Sequence, residues 1–239
     1  MGFAGSSART WDKADGAGPV TEADLADNDL LHDTLRAARP SYGWLSEETE
    51  DSHARLDEEH VFIIDPIDGT RSFVEGTRTW AHAIAVAERG RITAAVVYLP
   101  MMDKLYAAAT GGGATLNGKP IRASAVSALA DACVLAARPA MEPQHWCDTT
   151  PDFKRAYRPS LAYRLGLVAE GRFDAMLTLR PSWEWDIAAG ALIVSEAGGA
   201  CTDRAGADLH FNNADPRLNG VVAGGAQVQA AMLASLAPT

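Results

Sequence analysis

The sequence predicts a layered α/β protein, and three observations carry that expectation. Residues 61–110 read as short apolar or β-branched strands broken by turns. The second half alternates helical and strand-like text, the pattern of helices packed on sheets. At 239 residues and 47% hydrophobic content the chain is long enough for a sizeable core. We expect a single domain, with an N-terminal lobe over about 1–125 and a C-terminal lobe over about 126–239.

The first twenty residues are rich in Gly, Ala and Ser. Pro19-Val20-Thr21-Glu22-Ala23-Asp24 then opens a helical pattern with Leu25, Leu31 and Leu35 as apolar positions. Thr21 is the expected N-cap, Asp24 stands in the capping-box position, and Arg39-Pro40 ends the helix because a residue before proline avoids helical geometry. A short loop is expected to carry Trp44-Leu45-Ser46-Glu47-Glu48-Thr49. Strands are expected over 61–65, 83–87, 92–99 and 105–109, with Arg89-Gly90 and Pro100 among the turns. Asn117-Gly118 between Leu116 and Lys119 is a hairpin signal. Beyond it the text predicts a strand over 133–137, a helix over 160–169, a strand over 174–179, a helix over 185–197 and a last strand at 221–222.

Several classes of function are disfavoured. A formal net charge of -10 argues against a nonspecific grip on a nucleic-acid backbone. Cys133, Cys147 and Cys201 are odd in number and far apart, which suits neither a disulfide framework nor a CxxC site. The histidines form no HExxH motif, no apolar run approaches a membrane span, and the N-terminus lacks the order of a signal peptide. A soluble cytoplasmic protein without a membrane partner is the expectation.

The chemistry concentrates in Asp65-Pro66-Ile67-Asp68-Gly69-Thr70, entered from Val61-Phe62-Ile63-Ile64. Carboxylates at a strand end suit a hard cation, and the free N–H groups of a turn or helix start suit an anion. Asp65 would be costly to bury unpaired, so ligation explains it better than capping. Asp68 alone reads as a helix cap; with Asp65 and the Ile67 carbonyl, joint ligation is the better reading. Glu47 and Glu48 alone are a solvated charge pair. Asp186, in Trp183-Glu184-Trp185-Asp186-Ile187-Ala188-Ala189-Gly190, begins an apolar helix and reads as either a cap or a ligand.

Four segments in this order resemble the inositol monophosphatase superfamily of magnesium-dependent, lithium-sensitive phosphatases. They are Lys13 with Pro19-Val20-Thr21-Glu22-Ala23-Asp24, then Ser46-Glu47-Glu48-Thr49, then Asp65-Pro66-Ile67-Asp68-Gly69-Thr70, then Trp185-Asp186-Ile187-Ala188-Ala189-Gly190 followed by Glu196-Ala197-Gly198-Gly199. The resemblance covers most of the chain and implies an αβαβα sandwich, a homodimer, and hydrolysis of a small phosphomonoester with two or three Mg²⁺ ions, Li⁺ or Ca²⁺ being inhibitors. By the same resemblance Glu47, Asp65 and the Ile67 carbonyl hold the first magnesium, and Asp65, Asp68 and Asp186 the second. Thr70, with Asp24 and Glu47, orients and helps deprotonate the attacking water, and the N–H groups of Gly69 and Thr70 hold the phosphate.

Lys13-Ala14-Asp15 looks closer to the 3'(2'),5'-bisphosphate nucleotidase branch than to the inositol phosphatase branch. The segment Arg158-Pro159-Ser160-Leu161-Ala162-Tyr163-Arg164 occupies the family's substrate region without its Gly-Ser-type start. Lys13, Ser160, Arg164, Arg180, Glu184 and Asp68 are therefore expected substrate contacts, while Trp183 and Trp185 read as packing groups. The family carries a long helix ahead of its lysine; only twelve residues precede Lys13 here, so that helix is expected to be missing or shortened. A haloacid-dehalogenase-type phosphatase would space its two aspartates two apart, not three, and Gly111-Gly112-Gly113 lacks the order of a P-loop. A noncatalytic binding or regulatory protein on the same fold is the remaining alternative.

Overall fold

The computed structural model describes residues 8–13 and 18–238. Ala14, Asp15 and most of the region where the family's first helix would lie fall outside the described residues. A strand pair, β1 (Thr10–Asp12) with β2 (Pro19–Thr21), leads into α1 (Glu22–Ala38). Thr21 caps α1 and forms the full capping box with Asp24, and Arg39 ends the helix. Seven strands follow in one sheet: β3 (Gly43–Ser46), β4 (His60–Asp68), β5 (Ala81–Glu88), β6 (Arg91–Leu99), β7 (Lys104–Ala109), β8 (Ala114–Leu116) and β9 (Lys119–Pro120). Helix α2 (Thr70–Val74) lies between β4 and β5. Asn117 and Gly118 both take positive φ in the β8–β9 hairpin, as the Asn-Gly signal requires.

The second sheet holds β10 (Cys133–Ala136), β11 (Lys154–Ala156), β12 (Ala175–Thr178), β14 (Gly199–Thr202) and β16 (Val221–Gly225), in the order β11-β10-β12-β16-β14. Strands β13 (Ser182–Trp183) and β15 (Arg217–Leu218) pair separately. Helices α3 (Leu161–Ala169) and α4 (Glu184–Glu196) pack between the two sheets, while α1 lies against β4 and α5 (Ala226–Ser235) against β14 and β16. The result is an α/β layered sandwich. Its main core runs from Ile63, Ala85 and Val97 through Leu165 and Ile193 to Met176 and Ala223.

Two glycines let these helices pack closely, Gly190 of α4 against α3 and Gly166 of α3 against β7. A Cβ on Gly190 would fall 2.4 Å from the Leu165 side chain, and one on Gly166 would fall 2.9 Å from the Tyr106 ring. Both helices read as apolar all round, because both faces are buried.

Differences from the sequence reading cluster near the aspartates. Trp44, Leu45 and Ser46 belong to β3, parallel to β4, where a loop was expected; a four-residue edge strand with one glycine gives little periodic signal. Strand β4 does not stop at Asp65. It runs to Asp68 through a bulge: Asp65 pairs with Ala83 and Asp68 with Ala81, so three steps on β4 oppose two on β5. In a regular strand, residues three apart point to opposite faces. The extra residue removes that opposition and turns both carboxylates to one side.

Gly190→Ala is expected to cost about 1–3 kcal/mol through overpacking against Leu165. Urea denaturation with an unchanged m-value and a lowered midpoint is the expected result; an unaltered midpoint would mean that α3 and α4 can separate freely.

Candidate active site

The bulged end of β4 and the first turn of α4 bring Asp65, Asp68 and Asp186 together, with carboxylate oxygens within 4.8 Å of one another. Helix α4 begins at Glu184, so Asp186 is its third residue, and among the described residues its carboxylate caps no N–H group. That corrects the capping alternative. Asp65 is 1% exposed, and neither of its oxygens has a hydrogen-bond donor among the described residues. Burial, then Glu47, Asp68 and Asp186, push its pKa well above the ordinary carboxylate range. Asp186 is raised likewise by burial, Asp68 and Glu47, against the pull of Arg180. Burial also raises Asp68, whose Oδ2 accepts hydrogen bonds from the Ser160 hydroxyl at 2.7 Å and the Ala162 N–H at 2.6 Å.

An all-oxygen cluster whose most buried member, Asp65, has no donor among the described residues fits a hard divalent cation, which takes carboxylate and carbonyl oxygens. Glu47 lies beside the triad at the end of β3, where its Oε1 accepts from Lys13 Nζ at 2.8 Å. Lys13 also pairs with Glu48 at 2.8 Å. Lys13 is not among the side chains lining the cavity; two carboxylates hold it and outweigh burial, so that its pKa rises. The Thr70 hydroxyl lies 3.2 Å from Asp24 Oδ1 and 3.2 Å from the Ile67 carbonyl. Asp24 uses its other oxygen for the Thr21 N–H and hydroxyl, at 2.9 and 2.6 Å, so the capping box and the Thr70 contact coexist on one side chain.

The triad opens into a cavity of about 890 Å³ lined also by Glu47, Gly69, Thr70, Ser160, Arg164 and Arg180. Gly69 sits at φ +96, and a Cβ there would press on the Thr79 carbonyl at 3.3 Å. Ser160 caps α3 at φ 65, an uncommon conformation for a non-glycine residue, while binding Asp68. Arg164 is buried, donates to the Arg158 carbonyl and lies 4.6 Å from the Tyr157 ring, whereas Arg180 is exposed at the rim. Trp183 and Trp185 stack at 4.7 Å, with Arg217 5.5 Å from the Trp183 ring.

Glu184 is the clearest correction. It is fully buried, its oxygens accept from the Asn212 and Asn213 N–H groups at 2.6 and 2.9 Å and from the Asn213 side chain, and it does not line the cavity. It anchors a loop to the start of α4, away from the cavity. Glu196 has a similar task, holding the Gly111 and Gly113 N–H groups at 2.8 Å each. Sequence reasoning missed His145, Tyr157, Thr178 and Arg71 on the cavity wall. Arg71 stood next to a motif and was legible in principle; the others are single residues in unpatterned text.

A model of the inositol monophosphatase family matches residues 4–239. The chain belongs to the inositol monophosphatase family. It is 37% identical to an inositol-1-monophosphatase of Rhizobium meliloti, across 78% of this chain and 73% of the relative. It is 35% identical to Nus factor SuhB of Salmonella typhimurium, across 91% of this chain and 82% of the relative. The extragenic suppressor protein SuhB of Bartonella henselae superposes with a TM-score of 0.83 at 29% identity, covering 96% of this chain and 88% of that structure. Family membership accounts for the shared sandwich, and the family is one of metal-dependent phosphatases. Among the described residues no helix is long and apolar enough to cross a membrane.

The raised carboxyl pKa values of this family member fix the sign of a pH effect. Asp65, Asp68 and Asp186 keep protons in the folded state over a range where the unfolded chain has lost them, so metal-free stability falls as pH rises above the ordinary carboxylate range. Glu48, pushed up to about 7 by burial, extends the window toward neutrality. In EDTA the melting temperature is expected to decline from about pH 5 to about pH 8, and saturating Mg²⁺ to remove most of the decline. Asp65→Asn should flatten it and raise the metal-free melting temperature at pH 8 by at least about 2–4 °C, the effect of 1 kcal/mol in a domain this size. Calorimetry across pH decides the matter: a metal-free melting temperature rising through that window sinks it.

Proposed function

We propose that this chain is a Mg²⁺-dependent phosphomonoester hydrolase acting on a small sugar or inositol phosphate or on adenosine 3',5'-bisphosphate. The observation that carries the reading is Asp65, buried beside two other aspartates, with no donor for either oxygen among the described residues, on the wall of a roomy cavity. In this reading the chain works as one domain of two lobes, and Asp65, Asp68, Asp186, Glu47 and the Ile67 carbonyl hold two or three ions. Cations held there would supply the charge that lowers the pKa of a water, neutralises phosphate oxygens and stabilises a leaving alkoxide.

The rest of the work falls to the protein. The Thr70 hydroxyl donates toward Asp24, which leaves its lone pairs free to receive a proton from the attacking water. Asp24, whose pKa is raised by burial, can take a proton onward. The N–H groups of Gly69 and Thr70 hold phosphate oxygens, and Lys13 keeps Glu47 and Glu48 from splaying apart. Arg164 and Arg180 offer guanidinium groups to a further anionic group on the substrate. The net charge of -10 poses no barrier when cations sit between acid and substrate.

A regulatory reading on the same fold gains support from the relative named Nus factor SuhB. A phosphate-release panel over inositol phosphate, adenosine 3',5'-bisphosphate and other sugar phosphates, with and without lithium, separates the two; a Mg²⁺-loaded chain that turns over none of them favours regulation. Asp186→Asn is expected to abolish Mg²⁺ binding and nearly all phosphate release, and near-normal turnover at saturating Mg²⁺ would overturn the assigned cluster. Thr70→Ala is expected to lower kcat by about 10²–10⁴ with a small change in KM. An effect confined to KM would place Thr70 in ground-state binding instead.

A further inference from the structure

We propose that His82 is a positioning residue for the aspartate cluster, pinning the bulge that turns Asp65 and Asp68 to one side. The inference rests on the reading of that cluster as a metal centre. In the β4–β5 register, Pro66 and Ile67 together stand opposite the single residue His82. Proline has no N–H, so the bulge strands no donor at Pro66; its carbonyl still needs a partner. His82 supplies it, with Nδ1 2.5 Å from the Pro66 oxygen. A carbonyl oxygen can only accept, so Nδ1 carries the proton.

The ring that makes this bond is itself fixed. Trp80 meets it edge-on with centroids 5.3 Å apart, Tyr98 of β6 stacks at 6.2 Å, and the Asp27 carboxylate of α1 lies 3.9 Å from the same nitrogen. The Ile67 side chain is buried with Ala23 and Phe73, a cluster on which Trp80 also packs. The bulge is thereby held at both of its residues, at Ile67 by a packed side chain and at Pro66 by a bonded carbonyl. His82 does not line the cavity, so its influence on the cluster passes through the backbone between the two aspartates.

The test compares the wild-type chain with His82→Phe, which keeps the aromatic contacts and removes the donor, and His82→Asn, whose amide can donate to the Pro66 oxygen. Mg²⁺ alone is titrated by calorimetry, and melting temperature is recorded in EDTA. His82→Phe is expected to bind Mg²⁺ about 10–100-fold more weakly at a nearly unchanged metal-free melting temperature, and His82→Asn to recover most of the loss. His82→Leu serves the same comparison if His82→Phe folds poorly. Wild-type affinity in the Phe or Leu variant overturns the proposal, as does a loss that Asn leaves unrepaired. A wild type that binds no Mg²⁺ would refute the underlying metal reading, and this inference with it.

Discussion

The desolvated carboxylate of Asp65 is the constraint around which the site is arranged. Both of its oxygens are cut off from solvent without a donor among the described residues, and two more carboxylates stand within a few ångströms. Burial and the neighbouring carboxylates disfavour the ionised form there, so without a cation the group costs stability near neutral pH. Glu47, Asp68 and Asp186 all push in the same direction. The cluster is therefore a place where the fold is poorer than it needs to be alone, the usual signature of a site built for something that is added later.

What lets the fold carry this burden is the direction of its backbone. The N-termini of α3 and α4 both face the cluster, α3 through the Ala162 N–H on Asp68 and α4 by supplying Asp186 from its first turn. Each helix start carries partial positive charge, which favours nearby carboxylates and draws anions to the same place. Acid side chains and positive helix ends thus share one cavity. The small-residue contact at Gly190 matters here too, since it sets how closely α3 and α4 approach.

The local text was informative wherever a residue's neighbours in sequence decide its state. Thr21 and Asp24 form the capping box that their spacing implies, and Asn117-Gly118 makes the hairpin turn. Four short motifs in order were enough to suggest the family and its layered sandwich. Legibility failed where long-range contacts decide. Glu184, two residues before Asp186, looked like a substrate contact, yet Asn212 and Asn213 arrive from nearly thirty positions away to take its oxygens. Lys13 was drawn off in the same manner by Glu47 and Glu48.

Asp65-Pro66-Ile67-Asp68-Gly69-Thr70 states both lessons in six residues. By itself the sequence determined the chemical type: paired carboxylates, a proline that asks for no strand partner, and a glycine that can take φ +96 before a helix start. Composition and spacing are enough for that, because ligand chemistry and backbone freedom belong to single residues and their nearest neighbours. Only the tertiary structure decided that the two aspartates face the same way. Their spacing of three would separate them in a regular strand, and the bulge that reunites them exists through its register against β5, the packing of Ile67 on Ala23 and Phe73, and the ring of His82.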